Sequence, residues 1–163
     1  MKYTVSDSFP YYIELVGQAN YIQLFSSKEN FSFLETISEE KSTYCYDTGK
    51  WSIKQIIQHI TDHERIMNYR ILRISRKDFT PLAGYDHEMF AANGRADEMS
   101  WEHLLDDFKN VRRATISLIN SISAEQLQYR GNIWKFELTL EEYLKSTIGH
   151  ELHHIQVIKN KYL

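Results

Sequence analysis

The chain has 163 residues, with 19 Lys and Arg against 22 Asp and Glu and a formal net charge of −3, so no global basic excess points to nucleic acid or an anionic membrane. Cys45 is the only cysteine, which excludes an intramolecular disulfide and any cysteine-rich zinc site. The amino-terminal stretch MKYTVSDSFPYY lacks an apolar leader core, and no segment approaches the ~20 apolar residues of a membrane span. These features predict one soluble, unprocessed, cytoplasmic domain over residues 1–163.

Only Pro10 and Pro81 interrupt the chain, and the segments between turn signals carry apolar residues at helical spacing. The predicted fold is all-α, with strand signals nearly absent. A first helix is predicted from Pro10 through Ile13, Val16 and Ile22 towards Phe25, because proline is tolerated in a first turn. A shorter helix follows from about Glu29 to Ile37. After the turn-like YDTGK, Ser52 and Gln55 form a capping box, and Ile53, Ile56, Ile57, Ile60, Met67, Ile71 and Ile74 carry a second long helix to about Arg76. The stretch 77–99 holds Pro81, Gly84 and Gly94 with weak periodicity, so it reads as a long crossover with one short helix that would shape the mouth of a pocket. Ser100 caps a third long helix, where Trp101, Leu104, Leu105, Phe108, Val111, Thr115, Leu118, Ile119 and Ile122 recur three and four apart as core or interface. A loop from about Ser123 to Leu138 leads to Thr139 and Glu142, a second capping box that starts the last helix. The result is a four-helix bundle with a long crossover between helices 2 and 3.

Seven histidines are the notable polar feature, and three fall within GHELHH, residues 149–154. His150 and His154 are four apart and stand one turn above each other at the edge of the face made by Leu140, Leu144, Ile148, Leu152 and Ile155, with Tyr143 and Val157 beside them, which makes Tyr143 a candidate pocket residue. His153 points towards the polar side and is expected to be a solvated bystander. Two ligands on one helix leave a four-coordinate ion half bound, so the remainder must come from elsewhere. His59 holds a comparable edge position on the second long helix, and His63 lies nearly in line with it, so a His59/His63 pair is a competing half-site. Three neutral imidazoles suit zinc, nickel, copper or iron and leave a position for water or substrate, the arrangement of catalytic metal sites.

The combination of YDTGKWSIKQIIQHITDHE with the terminal GHELHHIQVIKNKY resembles the DinB/YfiT-like superfamily of bacterial metal-binding four-helix bundles. The likeness covers most of the chain, including the crossover and a third helix with Arg112 and Arg113. Carried over residue by residue, it implies a divalent ion, zinc or nickel before others, held by His59, His150 and His154. It also implies an enzyme acting on a small molecule, either a metal-dependent hydrolase or a thiol transferase using a low-molecular-weight thiol such as bacillithiol, mycothiol or glutathione. A non-catalytic metal-binding or stress-associated bundle is the alternative. His63 departs from the pattern expected after His-x-x-Asp, so the count of histidine ligands is three or four; three is the expectation.

Glu151 falls inside the apolar face of the last helix and Glu64 at the edge of the second, and buried carboxylates are costly unless paired. Each is either a base or acceptor near the site, or a partner of Arg70, Arg112 or Arg113; the pairing is favoured. Arg70, in line with His59 and His63, would hold a carboxylate or sulfonate of a substrate, or serve as an inter-helix ion-pair donor. His87 and His103 are expected on the surface and Cys45 as a packed thiol. The eleven tyrosines and eight phenylalanines suggest a homodimer surface.

Overall fold

In the computed structural model, which describes residues 1–163, eight helices and one hairpin follow in the order α1 (Phe9–Val16), α2 (Tyr21–Ser26), α3 (Glu29–Leu34), α4 (Glu39–Ser42), α5 (Ile53–Ser75), α6 (His87–Asn93), α7 (Trp101–Asn120), β1 (Arg130–Ile133), β2 (Phe136–Thr139) and α8 (Leu140–Lys161). The bundle is built by α1, α5, α7 and α8, with α8 packed on α1 and α5 and α5 packed on α7. Both predicted capping boxes form. Ser52 Oγ accepts from the Gln55 amide at 3.1 Å while Gln55 Oε1 accepts from the Ser52 amide at 2.9 Å. Thr139 and Glu142 do the same at the start of α8. Two amides otherwise left without partners are satisfied at each helix start, which explains why these boundaries are sharp.

Three expectations need correction. The first predicted helix is two helices, because Gly17 takes φ +57, a conformation that favours glycine, and Asn20 then caps α2 by accepting from the Ile22 and Gln23 amides. The helix expected over residues 29–37 ends at Leu34, and a one-turn helix, α4, follows with Ser38 as its cap. The loop expected over 123–138 contains a β-hairpin, with Arg130 opposite Thr139 and Ile133 opposite Phe136. Its two-residue turn, Trp134–Lys135, puts Trp134 at φ +53 without the Asn-Gly or Gly that marks such turns in a sequence. The hairpin also straps down the crossover: the Leu82 amide donates to Asn132 and the Trp134 amide donates to Leu82, both at 3.0 Å. Elsewhere the crossover carries the one short helix, α6, and a 3-10 turn at Ala96–Glu98.

The apolar core is in two halves. One gathers Phe9, Phe25, Met67, Ile71, Ile119, Ile133, Tyr143 and Ile148. The other gathers Leu34, Ile53, Ile57, Ile60, Trp101, Leu104, Phe108, Ile155 and Ile158. Along α5 the first half starts at Met67 and the second stops at Ile60; along α8 the first stops at Ile148 and the second starts at Ile155. Between them lies a buried polar layer: His59, His63, Glu64, Arg112, Thr115, His150 and Glu151. A bundle of this size has no thermodynamic need for such a layer, since buried polar groups cost free energy unless fully partnered.

Candidate metal centre

Within that layer, α5 and α8 bring three imidazoles together. His59 Nε2 lies 2.9 Å from His150 Nε2, and His154 Nε2 lies 3.2 Å from the same atom. All three ligand atoms fall within 4.8 Å of one another. Two nitrogens bound at ~2.0–2.1 Å to one tetrahedral ion would stand ~3.3 Å apart, close to the two short separations here. His59 and His150 are buried and His154 is half-buried at the cleft.

Burial decides the charge of these rings. It pushes the His59 pKa down to about 4, with the neighbouring His87 adding to the effect. Burial likewise holds His150 and His154 well below the ordinary histidine value, and mutual proximity of the imidazoles lowers them further. At pH 7 each ring is therefore neutral and has a nitrogen lone pair to give, which is the state a metal requires. Three convergent, neutral nitrogen donors with no carboxylate or backbone donor among them fit a divalent transition ion.

The remaining histidines separate by geometry. His63 lies outside the three-atom cluster; its ring stacks on His150 with centroids 4.0 Å apart, and its Nδ1 shares a 2.8 Å hydrogen bond with the Tyr85 hydroxyl. Its Nε2 is buried without a partner, as is Nδ1 of His150. His153 is not the solvated bystander expected: it is half-buried, hydrogen-bonded to the Tyr11 hydroxyl at 3.0 Å, and packed edge-on against Tyr11 and Tyr12 of α1. His87 is exposed, as expected, yet its ring comes within 5.8 Å of His59 at the cleft rim. His103 is exposed. Cys45 is exposed, not packed, because it sits in the turn before α5, where no apolar face covers it.

A cleft of about 1240 Å³ opens onto the cluster. His59, His63, Arg70, His150, His153 and His154 line it, and the crossover contributes Gly84 to Glu88. Tyr143 and Glu151, candidates for the pocket, do not reach it. The Tyr143 hydroxyl donates to the Gly131 carbonyl at 2.9 Å and so anchors the hairpin. Glu151 accepts from Asn30 Nδ2 at 2.7 Å and is paired with Arg112, which also binds Glu64 through Nε at 3.0 Å and Nη2 at 2.8 Å. Both carboxylates thus have the arginine partner that their burial demanded. Among the cleft residues that the sequence does not single out are Tyr85, Trp51, whose ring lies 4.9 Å from His59, and Tyr12, whose ring lies 5.1 Å from His150. Only Trp51 carried a signal, as the aromatic residue directly before the Ser52 cap.

Fold and site together define a four-helix bundle with a histidine-lined cleft between its second and last long helices. A sequence model of the DinB superfamily matches residues 27–158, and the chain belongs to that superfamily. It is 24% identical over 133 residues to a protein of Oceanobacillus iheyensis named as an inferred metal-dependent hydrolase, a match covering 77% of this chain and 73% of that one. Its structure is similar to YfiT from Bacillus subtilis, described as a probable metal-dependent hydrolase with an unusual four-helix bundle topology. That superposition has a TM-score of 0.72 at 15% identity and covers 98% of this chain and 88% of YfiT. The likeness to YfiT establishes the shared fold. No helix is long and apolar enough to cross a membrane.

Proposed function

We propose that the chain is a metal-dependent hydrolase of a small molecule, with one divalent transition ion, zinc or nickel, held by Nε2 of His59, His150 and His154. The observation that carries the reading is the convergence of three neutral imidazole nitrogens at the floor of an open cleft. The name of the Oceanobacillus relative supports the reaction class. When bound, the ion supplies Lewis acidity and lowers the pKa of a water in its open position.

The chain's own residues do the rest. Neutral His59, His150 and His154 remain donors at pH 7 because burial keeps protons off them. The Arg112 pairs to Glu64 and Glu151 tie α5, α7 and α8 together five residues from His59 and one from His150, holding the two ligand-bearing helices in register. His63 is held by Tyr85 through Nδ1 and stacked on His150, and burial keeps its ring neutral beside the three donors. A thiolate from a low-molecular-weight cosubstrate would use the same open position, so the assay carries both reaction classes.

The test has two parts. Tag-free protein is analysed for bound metal beside His154→Ala, where the account expects about one ion per chain in the first and a loss of at least tenfold in occupancy in the second. Equal content in both would overturn the three-histidine site. A panel of esters, amides and thiol-acceptor pairs is then assayed with and without chelator. Absence of any chelator-sensitive turnover across the panel would overturn the enzymatic reading.

A further inference from the structure

Arg70 is the one buried cation of the molecule without an anion. Its side chain lines the cleft, yet the residue is only 4% exposed. One guanidinium nitrogen, Nη2, donates to the Ala83 carbonyl at 2.6 Å, and Nη1 approaches the Met67 sulfur at 3.6 Å, a weak acceptor. Five N–H groups are available on a guanidinium, so three have no protein acceptor. No carboxylate stands within ion-pair distance of it. Arg112, equally buried on the facing helix, shows how this protein treats a structural arginine: it is given two carboxylates.

Taking a guanidinium out of water without a counter-charge is expensive, and a fold keeps such a group when a ligand completes it. The neighbours of Arg70 provide no charge. Tyr85 packs with its ring centroid 5.8 Å from the guanidinium carbon, and the hydroxyls of Tyr85 and Tyr143 stay neutral because burial pushes their pKa values up. Burial accordingly lowers the pKa of Arg70, with the two tyrosines opposing it only in part.

Position links this cation to the histidines. Arg70 follows His63 by seven residues on α5, two turns and ~10 Å along the axis, and a long helical side chain leans towards the helix amino terminus, here towards His63. We propose that Arg70 binds the monoanionic head group, a carboxylate or sulfonate, of the small molecule on which the histidine centre acts. The inference builds on the reading given under Proposed function and names its substrate class. A single guanidinium favours one negative charge, and its planar fork matches two oxygens of one head group. Lys50, the other cation on the cleft, is exposed at the rim and does not reinforce the buried position. The reacting bond then lies a few atoms from the anion, within reach of the histidine cluster.

The test is made on metal-free protein, so that it stands or falls apart from the metal centre. Benzoate, benzenesulfonate and the uncharged control benzamide are titrated by calorimetry into chelator-treated wild type and Arg70→Gln. The expected result is that at least one of the two anions binds wild type at least tenfold more tightly than benzamide does, and that this preference disappears in Arg70→Gln. Which anion binds more tightly distinguishes carboxylate from sulfonate. In parallel, the Nε–H resonance of Arg70 is followed in wild type, a readout that needs no variant and so survives a folding failure of Arg70→Gln. A saturable shift on adding anion, absent with benzamide, is expected. Equal anion binding by both proteins, or an Nε–H resonance unmoved by either anion, would overturn the proposal.

Discussion

Replacing Arg112 with methionine is the sharpest perturbation of the polar layer. Arg112 is 4% exposed, and its partners Glu64 and Glu151 are 2% and 1% exposed. Phe25, Phe31 and Phe108 surround the guanidinium at 5.2, 5.7 and 5.2 Å, so no water takes its place easily. Burial alone would lower the arginine pKa, and the two carboxylates outweigh it and raise it, which shows the strength of the pairing. Methionine fills much of the volume and removes the charge, leaving two adjacent carboxylates buried together. Removing one partner of a buried ion pair costs about 3–5 kcal/mol. For a chain of this size each kcal/mol moves Tm by roughly 2–4 °C, so Arg112→Met should lower Tm by roughly 6–20 °C in calorimetric or circular dichroism melts. Adding Glu64→Gln and Glu151→Gln should restore at least half of the loss, because no uncompensated charge then remains. A loss below about 1 kcal/mol in the single variant, or no recovery in the triple, would refute the reasoning.

Other expectations follow from the same layer. A Cβ at Gly149 would collide with the Tyr12 carbonyl, a backbone atom that α1 cannot move cheaply, so Gly149→Ala should cost about 1–3 kcal/mol in urea denaturation. His153→Ala removes the bond to Tyr11 and the edge-on packing on Tyr11 and Tyr12; metal content should match wild type and stability should fall by about 1–2 kcal/mol, as metal analysis and melts will show. Chelated protein should lose stability on acidification. His59 has a folded pKa of about 4 against 6.5 in the unfolded chain, so the unfolded state takes the proton first and the contribution, complete above pH 6.5, declines as pH falls towards 4. At 1.36 kcal/mol per unit this gives about 2 kcal/mol lost by pH 5 from His59 alone, and a Tm unchanged between pH 7 and pH 5 would contradict it.

What the sequence revealed, and what it hid, follows from how local each signal is. The starts of α5 and α8 were legible because a capping box is a four-residue pattern, and the α5 and α7 stripes because an apolar face repeats along one helix. The break at Gly17 was missed although Gly17 and Asn20 were visible, because Val16, Ile22 and Phe25 kept helical spacing across it. The hairpin was missed because Trp134 holds a positive φ that its sequence does not advertise, and because its burial comes from packing on α5 and α8. At the site, the pair His150 and His154 is local to one helix, and His59 could be matched to it by edge position on another. His63 could not be separated from His59 by spacing, since both lie on one face; the stacking on His150 and the bond to Tyr85 separate them only in three dimensions. Tyr85 lay in a crossover without periodicity, where a sequence offers no register to project. Arg70 was legible as a cleft residue or an ion-pair donor; the folded chain removes the second choice by giving it no carboxylate.

The central claim is that His59, His150 and His154 hold one ion through Nε2 and leave a position open. Anomalous scattering from crystals of tag-free protein, recorded across the zinc and nickel absorption edges, tests this directly. The account predicts a single anomalous peak within bonding distance of those three nitrogens, with His63 outside the coordination sphere and a non-protein atom completing it. A peak bound to His63 in place of one of the three, or a sphere closed by four protein ligands, would contradict it.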